Sequence, residues 1–364
     1  MSSHDPALQA LIDRIAEARA RNAPLRIRGG DTKAFYGGAP QGEPLDLRPL
    51  TGISSYEPTE LVVSARAGTL LKDLEAALAE HGQCLPFEPP RFAAGGTVGG
   101  MVAAGLSGPA RASMGAVRDY VLGASLLNGR GELLSFGGQV MKNVAGYDVS
   151  RLLAGSLGVL GAICEVSLKV LPQPPATLTL RFDLGQEQAL QAVNTLAGKP
   201  LPLNASAWWD GTLVVRLSGA AAAVQAARAQ LGGEEIPAEM AAAFWQGLRD
   251  HSDEFFVGAR RASEGAAALW RLSVPPTAPP LQLSGEQLIE WHGGLRWLCT
   301  STPGAVVRSA AEQVGGHATL FLGRDKSAGA FAPLAPPLER IHRELKRAFD
   351  PDHLFNPGRL YPTL

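Results

Sequence analysis

Residues 95–108 constrain the fold of this chain more than any other stretch. They read Gly-Gly-Thr-Val-Gly-Gly-Met-Val-Ala-Ala-Gly-Leu-Ser-Gly, a concentration of glycine, small apolar residues and hydroxyls found nowhere else in the chain. Glycine is expected where the backbone takes positive φ or lies directly against a ligand. The stretch therefore predicts the floor of a site for a large, flat, partly anionic cofactor. The alternative is a helix packed closely on a neighbour through glycine and alanine.

Two common nucleotide-binding motifs are absent from the chain. Neither Gly-x-Gly-x-x-Gly after a strand nor Gly-x4-Gly-Lys-Ser/Thr occurs, so we expect neither a nicotinamide-binding Rossmann site nor a P-loop. A further anion-binding candidate is the loop 29–33, Gly-Gly-Asp-Thr-Lys, which follows a predicted strand over 24–28. Its successive amides could face a phosphate. A plain Gly-Gly-Asp turn is the alternative for this loop.

Length and composition indicate a globular protein of two domains. The chain has 364 residues, of which 46% are hydrophobic and 18% charged, which is enough for a sizeable core. The net charge is −1 and the basic residues are scattered, so no basic surface for nucleic acid or an anionic membrane is expected. The three cysteines are far apart, which predicts no disulfide framework and no iron–sulfur or zinc site.

The compartment is predicted from what the chain lacks. No apolar run approaches the roughly 20 residues that a membrane helix needs. The N-terminus lacks the charged start and apolar core of a signal peptide. We therefore expect a cytoplasmic protein without a transmembrane segment, at most peripheral to the inner membrane through a complex.

The first half of the chain alternates short strands and helices. Apolar periodicity predicts helices over 6–21, capped by Asp5, and over 71–80, and strands over 45–47, 53–63, 115–127, 132–136 and 162–171. Asn128-Gly129 predicts a hairpin turn between two of these strands. Residues 142–161 again gather glycines, amides and hydroxyls. The proline-rich segment 173–175 is the expected domain boundary.

From residue 177 onward the pattern changes. We predict a strand over 177–182, a helix over 186–196, paired strands over 203–217 and an alanine-rich helix over 220–231. This order is typical of a ferredoxin-like half, with helices on one face of an antiparallel sheet. A later half is expected over 269–320, with a helix at 284–290 inside it, although no internal repeat is evident. A final helix is predicted over 338–349.

Four separated motifs resemble the flavoproteins of the vanillyl-alcohol oxidase and p-cresol methylhydroxylase (PCMH) fold, which bind FAD across two α+β subdomains. They are residues 28–32, 97–100 with 105–108, 146–148 with 155–161, and the terminal Asn356-Pro357-Gly358. Within that family the chain most resembles the FAD-binding subunits of bacterial glycolate oxidases. The resemblance implies an α+β chain: a PCMH-type FAD-binding domain over 1–173, a smaller ferredoxin-like α+β cap over 174–336, and a C-terminal helix and tail over 337–364 that return to the first domain.

The resemblance implies FAD whose diphosphate lies on the 28–32 loop and the 97–100 turn. Residues 105–108 and 155–163 would close on the adenine and ribose. Noncovalent FAD is expected, because residues 25–40 contain neither the histidine to which some relatives attach the flavin nor a cysteine. The implied cofactor-binding residues are Arg28, Gly29, Gly30, Asp31, Thr32, Pro89, Thr97, Val98, Gly99, Gly100, Gly105, Ser107, Gly108, Asn143, Gly146, Tyr147, Asp148, Gly155, Ser156, Gly158, Val159, Gly161, Ile163 and Asn356.

Hydroxy-acid oxidation needs a flavin to accept hydride, a cation for the carboxylate and a base for the hydroxyl proton. Relatives carry a Gly-His motif followed by an acid and a second histidine, which bind a metal and substrate. Here Gly316-His317 continues without either, so we predict no metal site and a strand histidine facing solvent or a partner. The best remaining acid–base and carboxylate-binding pair is His292 and Arg296, one helical turn apart, and His317 is a third catalytic candidate. Four tryptophans could line one face of the flavin, or they could instead pack in a core or an interface: Trp208, Trp209, Trp291 and Trp297.

Two functions follow from the resemblance. In the first, the chain oxidises glycolate, or a similar small 2-hydroxy acid, to glyoxylate or the matching 2-oxo acid and passes the electrons to partner subunits. In the second, it is a flavin-binding accessory subunit whose substrate site is degenerate, which the missing acid and histidine favour. Both imply the same partners, a second FAD subunit that carries substrate-binding residues and an iron–sulfur subunit.

Overall fold

The computed structural model describes residues 5–138 and 148–364. Within these residues the helices are α1 (Pro6–Ala20), α2 (Leu71–Ala79), α3 (Val98–Ala104), α4 (Arg111–Met114), α5 (Val117–Tyr120), α6 (Val149–Leu152), α7 (Gln186–Ala197), α8 (Ala221–Leu231), α9 (Ala238–Asp250), α10 (Glu254–Ser263), α11 (Gly304–Gln313) and α12 (Pro336–Phe349). Short 3-10 turns cover Pro58–Glu60 and Trp291–Gly293. In the part of the chain that the model describes, no helix is long and apolar enough to cross a membrane.

The strands fall into two groups along the chain. The first group is β1 (Leu25–Arg28), β2 (Glu43–Asp46), β3 (Ile53–Glu57), β4 (Val62–Arg66), β5 (Gln83–Cys84), β6 (Val121–Leu127), β7 (Leu133–Gly137), β8 (Ala162–Lys169) and β9 (Leu171–Pro172). The second group is β10 (Ala176–Asp183), β11 (Leu203–Trp209), β12 (Thr212–Gly219), β13 (Glu234–Ile236), β14 (Ala268–Ser273), β15 (Glu286–Glu290), β16 (Leu295–Thr300) and β17 (His317–Leu322). Each strand pairs only within its own group.

The first group forms three sheets. Five strands make an antiparallel sheet in the order β3-β4-β8-β6-β7, accompanied by the parallel pair β1-β2 and the short pair β5-β9. Helices α2 and α3 pack on the five-stranded sheet through buried residues such as Leu74, Leu78 and Val102. Helix α1 covers the β1-β2 pair through Ile15 and Leu11. The ends of β1 and α3 are thereby held close to each other.

The second group forms one antiparallel sheet of eight strands, which we call the cap sheet. Its order is β13-β10-β12-β11-β15-β16-β14-β17. Strands β10 to β13 with α7 and α8 form a complete ferredoxin-like unit, in which the strands lie in the order fourth, first, third, second. Strands β14 to β17 with α11 repeat this order, and the two units join edge to edge between β11 and β15. The ferredoxin-like cap is therefore a tandem repeat, which the sequence pattern does not reveal.

One predicted element is wrong in kind, and two differ in extent. The expected helix at 284–290 is strand β15, because its backbone pairs with β11 on one side and β16 on the other. The expected single strand over 53–63 is broken by a 3-10 turn at Pro58, after which Leu61 takes a left-handed conformation. Residues 115–120 include helix α5 where a strand was expected, since β6 begins only at Val121.

A buried ion pair attaches the C-terminal tail to the first group of sheets. Lys346 Nζ donates to Asp350 Oδ2 at 2.7 Å and to the carbonyls of Val159 and Phe355, each at 2.8 Å. Asp350 accepts hydrogen bonds from the amides of Leu354 and Phe355 in return. Both charged side chains are fully buried. The pair therefore fixes the chain direction just before the terminal Asn-Pro-Gly.

Candidate cofactor crevice and cap pocket

A crevice lies between the loop after β1, helix α3 and the C-terminal tail. The loop 28–32, the 97–100 turn, the segment 157–163 and Asn356 all contribute to its lining. The structure thus brings together segments more than 300 residues apart in the sequence. Twelve residues singled out from the sequence line it: Arg28, Gly29, Gly30, Asp31, Thr32, Thr97, Gly99, Gly100, Gly158, Gly161, Ile163 and Asn356.

Two glycines of the crevice have no room for a side chain. A Cβ on Gly30 would overlap the backbone carbonyl of Gly95. Gly158 has φ +75°, and a Cβ there would lie 2.6 Å from Asn356 Nδ2. Glycine at these positions lets the loop after β1 pack against the backbone of Gly95 and lets Gly158 pack against Asn356, which shapes the crevice wall.

Asn356 holds two walls of the crevice together. Its Oδ1 accepts a hydrogen bond from the Ile27 amide at 2.8 Å, and its Nδ2 donates to the Leu157 carbonyl at 2.7 Å. The residue is buried and takes φ 44°, a conformation that asparagine tolerates better than most residues. Asn356 thereby ties strand β1 to the glycine-rich segment that follows α6.

The crevice contains two buried guanidinium nitrogens without hydrogen-bond partners among the described residues. They are the Nε atoms of Arg26 and Arg28, which both line the crevice. Arg28 Nε lies 3.3 Å from Asp31 Oδ2 and is therefore ion-paired although it is outside hydrogen-bond geometry, whereas Arg26 makes no ion pair with any residue that the model describes. A buried donor without an acceptor costs about 1–3 kcal/mol, or more when it is charged. A phosphate oxygen would satisfy the Nε donor of Arg26 and would add a hydrogen-bond acceptor for that of Arg28.

Arg26 is not among the residues expected at the cofactor from the sequence. A usable signal was present, since residues i and i+2 of a strand point to the same face. Arg26 and Arg28 both belong to β1, so recognition of one implies the other. Lys33 also lines the crevice, and burial lowers the pKa of its amine to about 8.

Other residues expected at the cofactor lie away from the crevice lining or outside the residues that the model describes. Val98 is a core residue under the sheet, and the Val159 carbonyl accepts the Lys346 hydrogen bond. Asp148 caps α6 and pairs with Arg151. Nine residues are not part of the crevice lining: Pro89, Val98, Gly105, Ser107, Gly108, Asp148, Gly155, Ser156 and Val159. Three more lie outside the described residues: Asn143, Gly146 and Tyr147.

A second, smaller cavity lies where the end of α3 meets the cap sheet, and we call it the cap pocket. Its volume is about 20 Å³. Ser107 and Gly108 line it from the side of α3, and the cap contributes His251, Arg271 and Glu290. Ala103 and Ala104 of α3 line the crevice, and residues 106–108 directly after the helix line the pocket. The two sites are therefore joined along one short stretch of backbone.

Arg271 is an unpaired cation of the cap pocket. It lies on β14 and makes no side-chain hydrogen bond or ion pair with a described residue. Its guanidinium lies 5.0 Å from the ring centre of Trp291, and that of Arg111 lies 4.4 Å from the same ring. Arg111 is likewise unpaired within the described residues, and burial followed by the charge of Arg271 lowers its pKa. Two unpaired guanidiniums make this region favourable for a carboxylate.

His251 faces the same pocket. It follows the end of α9 with φ 54°, and its ring stacks on Phe256 with centroids 3.7 Å apart. The ring makes no hydrogen bond with a described residue. Desolvation, and then the charges of Arg260 and Arg271, lower the pKa of His251 well below its ordinary value. The imidazole is therefore neutral near pH 7 and its ring nitrogen can accept a hydrogen bond, while burial and the two cations make it a weaker base than an exposed histidine. Three more aromatic rings lie within 5.3 Å of it, centroid to centroid: Phe92, Trp297 and Phe321.

Glu290 completes the titratable groups of the cap pocket. Its carboxyl is buried on β15, and Oε2 accepts a hydrogen bond from Trp297 Nε1 at 2.7 Å. Burial raises the pKa of Glu290 to about 7, against the opposing effects of this hydrogen bond and of Arg271. The residue is therefore partly protonated at neutral pH.

His292 and Arg296 were expected to carry the chemistry from one helix, and that predicted geometry is wrong. His292 lies in a 3-10 turn and Arg296 on strand β16, so they are not one helical turn apart. Both ring nitrogens of His292 are hydrogen-bonded, to Ser113 at 3.1 Å and Ser206 at 2.9 Å. Arg296 is 1% exposed and donates to backbone carbonyls of the cap, those of Ala278 and Gly293. Neither residue lines the crevice or the cap pocket.

The remaining candidates, His317 and the tryptophans, lie partly at the surface and partly at the cap pocket. His317 is exposed at the start of β17, and desolvation followed by Arg271 lowers its pKa. Trp208 and Trp209 lie on β11, away from the pocket, whereas Trp297 lines it. Among the residues described, no cluster of three or more histidine, cysteine, aspartate or glutamate side chains could hold a metal ion.

Comparison with known proteins decides the family. A model of an FAD binding domain matches residues 7–137. The chain is 46% identical to the glycolate oxidase subunit GlcE of Escherichia coli K12 over 356 residues, which cover 98% of both proteins. The chain belongs to the GlcE family of FAD-binding flavoproteins. Its cofactor is FAD, and the buried, unpartnered Nε of Arg26 beside the second guanidinium of Arg28 in the crevice fits the FAD diphosphate.

More distant relatives match only part of the chain. A D-lactate dehydrogenase of Archaeoglobus fulgidus is 33% identical over 195 residues, which cover 51% of this chain and 42% of that protein. Among solved structures, alkyldihydroxyacetonephosphate synthase matches with a TM-score of 0.65 at 15% identity, covering 96% of this chain and 74% of that one. This structural similarity shows that the chain has the PCMH-type fold.

Proposed function

We propose that this chain is the FAD-binding oxidoreductase subunit of a glycolate oxidase complex and itself oxidises glycolate, or a similar small 2-hydroxy acid. The observation that carries the proposal is the unpaired Arg271 beside the neutral His251, in a pocket that shares the α3 backbone with the cofactor crevice. The glycolate oxidase and D-lactate dehydrogenase names of the relatives support the substrate class.

The proposed FAD site consists of the loop 28–32, the 97–100 turn and the glycines of 157–161. Arg26 and Arg28 would bind the diphosphate, and Asn356 would hold the walls that surround it. Attachment is proposed to be noncovalent, since the described lining contains no histidine and no cysteine. The domain limits at 173 and 336 are proposed too, supported by the separate pairing of β1–β9 and β10–β17.

The cap pocket would supply the remaining chemistry. Bound FAD supplies a two-electron acceptor for the hydrogen at C2 of the hydroxy acid. Arg271 would bind the substrate carboxylate, and Arg111 would add positive charge behind it. The hydroxyl proton would pass to a ring nitrogen of His251 as the C2 hydrogen leaves. The product is the 2-oxo acid, which from glycolate is glyoxylate.

A single spectral experiment tests the proposal. Glycolate added to the anaerobic, FAD-loaded chain should bleach the flavin band at about 450 nm. Arg271→Leu should retain FAD but need at least about tenfold more glycolate, since a hydrogen bond to a charged group contributes about 1.5–3 kcal/mol. Arg181→Leu, which removes a half-exposed arginine from β10, is the matched control and should behave as the wild type. A wild-type flavin that stays oxidised would refute catalysis by this chain.

The accessory function is the second candidate. It is favoured by one observation, the absence of the acid and second histidine after Gly316-His317. Under this hypothesis the chain serves in assembly or electron relay, and a partner subunit carries out the oxidation. A second FAD subunit and an iron–sulfur subunit are the proposed partners in either case. The cytoplasmic location, with peripheral attachment to the inner membrane through the complex, is proposed by the same resemblance.

A further inference from the structure

We infer that the active site accepts 2-hydroxy acids with apolar side chains up to the size of a phenyl ring. This inference rests on the proposed function, because it assigns a place to the substituent at C2 of the same substrate. The observation behind it is a second cavity beside the cap pocket, which we call the aromatic cavity. Four phenylalanines and two leucines dominate its lining: Phe35, Phe92, Phe256, Phe321, Leu269 and Leu322.

The aromatic cavity adjoins the place where the substrate would react. It shares Phe92, His251 and Phe321 with the cap pocket. Because the cap pocket, at about 20 Å³, holds only a group about the size of one water, a hydroxy acid with its carboxylate at Arg271 and its hydroxyl at His251 would have its C2 at this common wall. The substituent on C2 can then extend past His251 into the aromatic cavity. Glycolate carries no such substituent and would leave the cavity unfilled.

The lining selects for apolar groups. Phe35 lies edge-to-face against Phe92 and Phe321, with ring centroids 5.4 and 5.3 Å apart. The polar members of the lining are Thr32, His251 and Arg260, and Arg260 is exposed at the rim. An uncharged hydrocarbon side chain loses no hydrogen bond on entering such a cavity, whereas a charged or hydroxylated one does.

The volume is sufficient for a ring. The cavity measures about 290 Å³. An apolar protein cavity of about 150 Å³ binds benzene. Burial of one methylene contributes about 0.8 kcal/mol, which is about a fourfold change in a binding constant. Each added side-chain carbon should therefore improve the specificity constant about fourfold until the cavity is filled.

The competing occupant of the aromatic cavity is the cofactor itself. The cavity and the cofactor crevice have one lining residue in common, Thr32. The crevice instead continues along α3, from Ala103 and Ala104 to Ser107 and Gly108 of the cap pocket. The common wall with the cap pocket is thus the broader connection, and it favours the substrate side chain as the occupant.

The test is a substrate series with the FAD-loaded chain and an artificial electron acceptor. Glycolate, both enantiomers of lactate, of 2-hydroxy-4-methylpentanoate and of mandelate are compared by kcat/KM. We expect one enantiomer of each larger acid to be oxidised, with kcat/KM rising about fourfold per carbon from lactate to 2-hydroxy-4-methylpentanoate. Oxidation of glycolate alone would overturn the inference and leave the proposed function intact. Oxidation of none of the acids would refute the proposed function and the inference together.

A cavity-filling variant tests the location. Leu322→Trp, at a half-buried position of the lining, should lower the ratio of kcat/KM for mandelate to that for glycolate at least tenfold. Leu283→Trp, at a partly buried position against a different cluster, should leave this ratio unchanged. Loss of FAD from Leu322→Trp but not from Leu283→Trp would assign the cavity to the cofactor and overturn the inference. Leu322→Ala, which enlarges the cavity, should raise the same ratio, and a lowered ratio would contradict it.

Discussion

The buried carboxyl of Glu290 should make the stability of the protein depend on pH in a way that can be worked out from the structure. The residue is 3% exposed, and burial raises its pKa from the ordinary 4.5 to about 7. A difference of about 2.5 between the folded and unfolded pKa values corresponds to about 3 kcal/mol of folding free energy. This is a large part of the total stability of an ordinary domain, about 5–15 kcal/mol.

The sign follows from which state releases the proton first. Because the folded pKa is the higher one, the unfolded chain loses this proton first as the pH rises. The contribution of Glu290 to stability is therefore fully present below pH 4.5 and is lost as the pH rises through about 7. Glu290→Gln removes the titration and keeps an oxygen that can accept the Trp297 Nε1 hydrogen bond. Relative to this variant, the wild type should lose about 3 kcal/mol of unfolding free energy between pH 4.5 and 8.

Urea unfolding between pH 4.5 and 8, at a fixed excess of FAD, measures this difference. Glu286→Gln is a matched control, because Glu286 lies on the same strand and also accepts a tryptophan hydrogen bond, from Trp209 at 2.9 Å, but is exposed. The control should follow the wild type at every pH. Parallel curves for the wild type and Glu290→Gln would refute the assignment of a raised pKa to this buried carboxyl.

Two further predictions concern the cofactor and the tail. Gly30→Ala should be purified with less than about a tenth of the wild-type FAD, measured by flavin absorbance, because its Cβ would overlap a backbone carbonyl, whereas Gly185→Ala has room and should bind normally. Lys346→Met should lower the unfolding free energy by about 3–5 kcal/mol, because it leaves a buried carboxylate without its cation. Arg347→Met, at an exposed neighbouring position, should change stability by less than about 0.5 kcal/mol, and equal effects of both variants would contradict the role of the ion pair.

The cofactor crevice could be predicted from the sequence because its chemistry is encoded in short stretches. Glycines at 29–30 and 99–100 and the terminal Asn356 mark places where two stretches of chain approach too closely for a side chain or where the backbone turns sharply. Such requirements leave few residue choices and are visible without knowledge of the fold. Of the two interpretations of residues 95–108, the close packing is present, with Gly99 against Ala67; α3 also lines the crevice, and its role as the floor of the FAD site stays a prediction.

The cap pocket could not be predicted, because strand register assembles it. Arg271 on β14 stands directly opposite Trp297 on β16, and Glu290 lies on β15, the strand on the other side of β16. These pairings depend on backbone hydrogen bonds between strands separated by loops of different length. A weak signal existed in the strand sequence Leu-Trp-Arg-Leu, where a lone arginine interrupts an apolar run. The short apolar run at 286–290 is likewise ambiguous between helix and strand from periodicity alone.

The cost of the cap pocket supports catalysis in this chain over the accessory function. His251 lines the pocket with φ 54°, a conformation that costs of order 1–3 kcal/mol for a residue other than glycine. Glu290 is a buried acid, and Arg271 is a cation without a partner in the described chain. Costs of this kind are retained where function requires them. A cap used only for assembly would be more stable with glutamine at 290 and an apolar residue at 271, and nothing in its packing would require the unpaired cation.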